Sequence, residues 1–367
     1  MREILGEIAP LYAAGERFAV ATVVRTWSSA PRPIGASMAV TSDGRAIGSV
    51  SGGCVEGAVY EVCQEVLASG QPQLVTYGVS DDDAFSVGLT CGGTIQLYVS
   101  AVDRVSDPRV GWALSAETSG DAVAIATVVS TGQRMVVSEI DSEGSFGSPR
   151  LDEAVIDGVR GMLEHGTTGF LRLGADGERR HDDLAVFVES WARPPRMLIF
   201  GAIDFAAALA QAGKFIGYHV TVCDARPVFA TRQRFPEVDD LVVEWPHTFL
   251  ARTLVDERTV ICVLTHDPKF DVPLLELALR TPAAYIGAMG SRRTHDDRMT
   301  RLRAAGMSES ELARLHSPIG LDIGARTPQE TAVSITAEIV STVWGGTGRR
   351  LTELDAPIHG APLASEL

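Results

Sequence analysis

The sequence predicts an α/β protein in two parts: an N-terminal α+β domain, then an open, doubly wound parallel-sheet domain. Short apolar runs at 197–200, 219–223, 240–243, 260–264 and 284–286 alternate with helix-like stretches, the pattern of parallel strands buried on both faces by crossover helices. Upstream, strand-like and helix-like segments mix without that regularity, as in an α+β domain. Between the two regions, Pro194 and Pro195 stiffen the chain and deny it helical hydrogen bonds. The predicted division is a first domain at 1–190, a linker at 191–196, a second domain at 197–345 and a tail at 346–367; no internal repeat stands out.

In chain order, 2–14 has helical apolar spacing and 18–24 reads as a strand. Two prolines make 28–33 a loop. Strands at 37–41 and 45–50 flank the turn Ser42-Asp43-Gly44. A helix at 55–67 starts directly behind Gly52, Gly53 and Cys54, so its first amides are predicted to offer donors to a thiolate or a bound anion. A strand at 73–77 leads into Asp81-Asp82-Asp83, and a second glycine turn with Cys91 and Gly92 opens a strand at 94–99. Strands at 121–129 and 134–139, a helix at 151–164, and strands at 169–173 and 184–189 complete the first domain.

Apolar residues make up 45% of the 367 and charged residues 22%, ordinary for a soluble globular chain. The net charge of -15 repels nucleic acid, and the basic clusters at 232–234 and 291–293 are too short for a phosphate track. No apolar stretch is long enough for a membrane span, and the first residues lack the marks of a secretion signal, so a cytoplasmic protein is expected. Five cysteines, at 54, 63, 91, 223 and 262, form no C-x-x-C pair and fit a reducing compartment.

The candidate chemistry lies in glycine-rich turns. Cys54 and Cys91, beside Gly52, Gly53 and Gly92, could act as nucleophile, soft metal ligand or sulfur carrier. The alternative is two small buried hydrophobes beside tight turns. Gly201 stands where a dinucleotide fingerprint begins, with Asp224 placed to accept from ribose hydroxyls. Ile203 replaces the second glycine and Asp204 puts a negative charge at the helix start, so NAD(P) binding is disfavoured. His266 and Asp267 follow the fourth strand, as acid, base or metal ligand, or as an ordinary cap and turn; two such residues do not specify a zinc site. Gly287, Gly290, Ser291 and Arg292 follow the fifth strand and suit an oxyanion, or a helix cap. His316 and Asp322 lie in a glycine-punctuated loop before a helix that Thr327 would cap, and either face a ligand or shape the loop.

Together these segments resemble the XdhC/CoxI family of xanthine dehydrogenase and carbon monoxide dehydrogenase accessory proteins. The resemblance covers about 10–100, through Ser28-Ser29-Ala30-Pro31-Arg32, Gly52-Gly53-Cys54-Val55-Glu56 and Cys91-Gly92-Gly93. It also covers about 196–340, through His266-Asp267, 285–292 and 316–324. It implies a Rossmann-like second domain and a non-catalytic maturation factor that binds the molybdenum cofactor (molybdopterin). Such a factor protects the cofactor while a cysteine desulfurase installs its sulfido ligand, then delivers it to a molybdenum hydroxylase. The cysteine turns would face the metal-sulfur end and the arginine-bearing turn the phosphate, with the ligand expected between the domains. Many relatives have Gly-Ala-Gly-His where this chain has Gly201-Ala202-Ile203-Asp204. A homodimer is expected. The competing readings are an NAD(P)-dependent oxidoreductase and a structural or regulatory protein that keeps the fold without a cofactor.

Overall fold

The computed structural model describes residues 1–27, 30–78, 93–179, 181–265 and 267–355. They form two compact units, Met1–Arg193 and Pro194–Leu354.

Unit 1 is antiparallel and built twice over. Its first half runs α1 (Leu5–Ala14), β1 (Phe18–Trp27), β2 (Ser37–Thr41), β3 (Ala46–Gly48), α2 (Glu56–Ser69), β4 (Gln73–Tyr77) and β5 (Thr94–Val102). The second half runs α3 (Pro108–Thr118), β6 (Val123–Val128), β7 (Arg134–Ser138), β8 (Ser142–Glu143), α4 (Pro149–His165), β9 (Gly169–Leu173) and β10 (Leu184–Trp191). The two five-stranded sheets have the same order, β3-β2-β1-β5-β4 and β8-β7-β6-β10-β9. The repeat that the sequence does not display is therefore present in the topology. Only a scatter of residues marks it: Gly48, Ser49, Ala58, Val59, Leu67 and Gly70 recur as Gly144, Ser145, Ala154, Val155, Leu163 and Gly166.

Each half buries its sheet in the same way. The alternate residues Ala19, Ala21 and Val23 of β1 pack under Val59, Cys63 and Val66 of α2, and Ala124, Ala126 and Val128 of β6 pack under Val155, Val159 and Leu163 of α4. The inner faces share one core with α1 and α3, through Phe18, Val20, Val123 and Ile125. Both α2 and α4 end at a glycine in the left-handed conformation, Gly70 and Gly166.

Unit 2 is a six-stranded parallel sheet: β11 (Arg196–Phe200), β12 (His219–Cys223), β13 (Asp240–Val242), β14 (Val260–Val263), β15 (Tyr285–Ala288) and β16 (Leu315–His316). Its crossovers contain α5 (Asp204–Phe215), α6 (Pro246–Ala251), α7 (Pro268–Ala278), α8 (Arg292–Ala304) and α9 (Glu309–Leu312), and α10 (Pro328–Trp344) follows β16. The order β13-β12-β11-β14-β15-β16 is the doubly wound 3-2-1-4-5-6 arrangement, with its switch point between β11 and β14. Ile199, Val222 and Cys262 face the core under α5 and α10, whereas Leu198, Ile261 and Ile286 face α7 and α8. The sixth strand was expected to be loop; its two residues pair in parallel with Ile286 and Gly287 and place His316 in the sheet.

Candidate functional site

The turn before α2 is held by a carboxylate from the helix itself. Glu56 Oε1 accepts from Ser49 Oγ at 2.6 Å and Ser51 N at 2.9 Å, and Oε2 accepts from Ser51 Oγ at 2.5 Å and Gly53 N at 2.8 Å. Ser51 Oγ accepts from the amides of Cys54 and Val55, both at 3.0 Å, and Gly52 N donates to Ser49 Oγ at 2.9 Å. Burial works to raise the Glu56 pKa, but these donors outweigh it and hold the group at about 2. Of the amides beside Cys54, those of 51–55 bond the chain's own oxygens, and the turn carries the negative charge of Glu56. Gly52 and Gly53 take positive φ, 75° and 112°, with open space where a Cβ would stand, so backbone conformation selects glycine there. Cys54 is half-buried and packs against the core under α2. Cys63, Cys223 and Cys262 are buried thiols; burial raises the first two to about 12 and the third further, so they serve as small hydrophobes.

At the switch point of unit 2 a cleft of about 430 Å³ opens at the carboxyl ends of the strands. Its floor and walls include Ile203, Leu264, Pro246 and Phe270, and its polar lining comes from Asp224, Arg226, Asp267 and Lys269. Gly201 (φ 109°) makes the first turn possible, since a Cβ there would lie 2.9 Å from Thr265 Cγ2 and 3.0 Å from Thr265 N. Asp224 has both oxygens engaged: Oδ2 accepts from Ala202 N at 2.8 Å and Arg226 Nη2 at 2.8 Å, and Oδ1 from Arg226 N and Nε at 2.9 Å. Burial opposes the charged form, but these bonds keep its pKa below the usual range. Asp224 is thus a bracket joining two loops, which corrects its expected availability to ribose hydroxyls. Asp204 pairs with Arg234 at 2.8 Å. Asp267 caps α7, accepting from Lys269 N at 3.1 Å, and pairs with Lys269 Nζ at 3.0 Å.

Farther along the carboxyl edge, a buried network and a part-buried one hold the loops. Arg298 of α8 donates to Asp271 Oδ2 at 3.1 Å, Met289 O at 2.8 Å and Ser317 Oγ at 2.9 Å, while the Thr265 hydroxyl donates to Asp271. Glu338 of α10 accepts from the Tyr285 hydroxyl, Gly320 N at 2.7 Å and His316 Nδ1 at 3.3 Å, with the His316 ring stacked on Tyr285 at 4.5 Å. Burial raises the Tyr285 pKa; it also opposes ionisation of Glu338, whose hydrogen bonds nevertheless keep it low.

Of the residues singled out from the sequence, the cleft gathers Asp224 and Asp267, with Gly201 shaping its rim. Gly287 sits within β15, where a Cβ would lie 2.5 Å from Ile319, which accounts for glycine there. Ser291 caps α8 by accepting from Thr294 N at 3.2 Å, next to Gly290, and Arg292 is the exposed first residue of that helix. Asp322 is exposed, and His316 belongs to the Glu338 network. Cys91, Gly92 and His266 lie outside the described residues. Sequence reasoning missed Arg226, Arg298 and Glu338. Only Arg226 carried a sequence signal, a cation two residues beyond the strand-end acid. Among the described residues no cluster of three or more His, Cys, Asp or Glu is placed to hold a metal ion, and no helix is long and apolar enough to cross a membrane.

A family model for the XdhC Rossmann domain matches residues 197–339, and one for the XdhC and CoxI family matches 11–78 and 116–174, a stretch in each half of unit 1. The chain is 28% identical over 329 residues to a Bacillus subtilis (strain 168) protein named as a probable xanthine dehydrogenase subunit, covering 89% of this chain and 93% of that one. It is 27% identical over 344 residues to the Escherichia coli (strain K12) molybdenum cofactor insertion chaperone PaoD, covering 93% and 88%. A crystal structure from Bacillus halodurans, described as a xanthine dehydrogenase, shares the fold with a TM-score of 0.69 at 24% identity, over 96% of this chain and 98% of that one. The two domain matches, in the order in which the two units occur, make this chain a member of the XdhC and CoxI family.

Proposed function

We propose that the chain binds the molybdenum cofactor, protects it while a cysteine desulfurase installs its terminal sulfur, and delivers it to a molybdenum hydroxylase of the xanthine or carbon monoxide dehydrogenase type. The observation that carries this reading is the match, over nearly the whole of both chains, to a relative named for molybdenum cofactor insertion. The cofactor is cargo here and supplies its own metal and sulfur chemistry.

The residues of unit 2 fit the pterin-phosphate end of such a ligand. Pro246, Leu264 and Phe270 offer apolar walls for a flat ring, and Arg226 and Lys269 offer charge-assisted donors for a phosphate. In unit 1, taken by itself, Cys54 is a described thiol at a glycine turn, a residue type suited to soft metal-sulfur chemistry. The chain's own work is to bind, orient and exclude water; no residue is assigned a catalytic step.

The test is native mass spectrometry, with metal and pterin analysis, on protein made in a host that synthesises the cofactor. A near-stoichiometric molybdenum-pterin adduct is expected, reduced at least tenfold by Arg226→Ala and less by Arg292→Ala. Protein without pterin, from cells whose control molybdenum enzyme is loaded, would overturn the reading.

A further inference from the structure

In dinucleotide-binding domains of this topology the diphosphate rests on the first strand-to-helix turn, where backbone amides and the helix N-terminus face it and a second glycine allows close approach. That place is narrowed in this chain. Ala202 N donates to Asp224 and Ile203 N donates to Gly201 O at 3.1 Å, so two amides of the turn are already engaged. The Ile203 side chain lines the cleft, where a dinucleotide fingerprint would have glycine, and the Asp204 carboxylate at the first residue of α5 is paired with Arg234.

The cations that line the cleft are Arg226 and Lys269, while Arg234 stands at the turn itself, donating to Ala202 O at 3.0 Å and pairing with Asp204. Asp224 takes Nε–H and one Nη2–H of Arg226; a guanidinium has five N–H donors, and no other side-chain hydrogen bond from it is made among the described residues. The Arg226 side chain is 45% exposed and is braced 4.5 Å above the Phe229 ring. Lys269 Nζ is 4.8 Å above the Phe270 ring, on the same cleft.

Resting on the cofactor-binding reading and narrowing it, we propose that this cleft takes a flat nitrogen heterocycle bearing one phosphate, held by Arg226 and Lys269, and rejects ligands whose two nucleotide-like halves are joined by a diphosphate. Ile203 and the Asp224–Arg226 bracket are the residues that set this specificity. The one-phosphate heterocycle has two sources, a nucleoside monophosphate and a pterin monophosphate. The cofactor form expected on the protein is accordingly the one without a nucleotide extension.

Isothermal titration of the full chain with AMP, CMP, GMP, inorganic phosphate and NAD⁺ provides the test, alongside identification of the pterin that co-purifies. At least one nucleoside monophosphate should bind tenfold or more tighter than either NAD⁺ or phosphate, and Arg226→Ala should weaken it at least tenfold. Lys269→Ala, at an exposed position, gives the same readout at smaller size should the arginine variant fail to fold. Ile203→Gly should narrow the gap between monophosphate and NAD⁺. Equal or tighter NAD⁺ binding, no binding by any monophosphate, or monophosphate binding indifferent to both cation variants overturns the inference. Co-purification of a nucleotide-extended pterin also overturns it while leaving cofactor handling intact. Monophosphate binding without any co-purified pterin does the reverse.

Discussion

The two halves of unit 1 hold the turn before their long helix in the same way and differ in what that turn presents. In the first half Ser49 Oγ and Val50 N donate to Glu56; in the second, Ser145 Oγ and Phe146 N donate to Asp152, at 2.7 Å each. Gly48 and Gly144 both take positive φ, with a carbonyl oxygen of the neighbouring strand 2.5 and 2.7 Å from where a Cβ would stand. Yet Gly52-Gly53-Cys54 is matched in the second half by Ser148-Pro149-Arg150. The anchor is therefore architecture and the thiol is not: the same turn closes without one. The first half also has longer connections, 28–36 against 129–133 and 78–93 against 174–183. Trp27, Ser37, Gly48, Tyr77 and Thr94 all lie at one end of its sheet, so these additions leave from the end that carries the Cys54 turn.

If the halves share their architecture, the shared glycines should fail together and most severely. Gly48→Ala and Gly144→Ala should each lower stability by about 2–4 kcal/mol in urea unfolding, from the left-handed backbone and the contact with a carbonyl oxygen. A large loss in one half alone would break the comparison. The anchors should differ in degree. Glu56→Ala, which removes more donors' partner, should cost about 2–3 kcal/mol and Asp152→Ala about 1–2. Acid separates Glu56 further. Its folded pKa, about 2, lies below its ordinary 4.5, so its stabilisation is complete above 4.5 and is lost as pH falls toward 2. Glu56→Gln should flatten that acid limb, and an unchanged limb would show that the carboxylate is not the anchor. The smallest structural effect belongs to Cys54→Ala, expected within about 1 kcal/mol of wild type. Co-purified pterin should nonetheless fall several-fold, and a large stability loss with retained pterin would return Cys54 to a packing role.

Much of the fold was legible because burial writes a period into the chain. The runs at 73–77, 169–173 and 219–223 coincide with β4, β9 and β12, each flanked by glycine or proline that stops the pattern. Helix α3 was missed because its buried residues Val110, Ala113 and Leu114 give a narrow stripe behind a proline. Strand β16 was missed because two residues carry no period. At the carboxyl edge, the sequence showed which residues follow each strand and that Ile203 stands where a dinucleotide turn has glycine. It could not show that Asp224 closes on Ala202 and Arg226, or that Glu56 occupies its own helix start, because both depend on side chains meeting after the backbone has turned.

The internal pairing of the cleft's charges bears on how fast and how selectively a ligand arrives. With each cation beside its own carboxylate and the molecule at net charge -15, there is little long-range field to draw a phosphate in. Encounter runs against repulsion, so moderate added salt should speed association before it weakens the contacts themselves. On the proposed reading, a cleft with its charges paired in this way would gain little from long-range attraction of abundant anions.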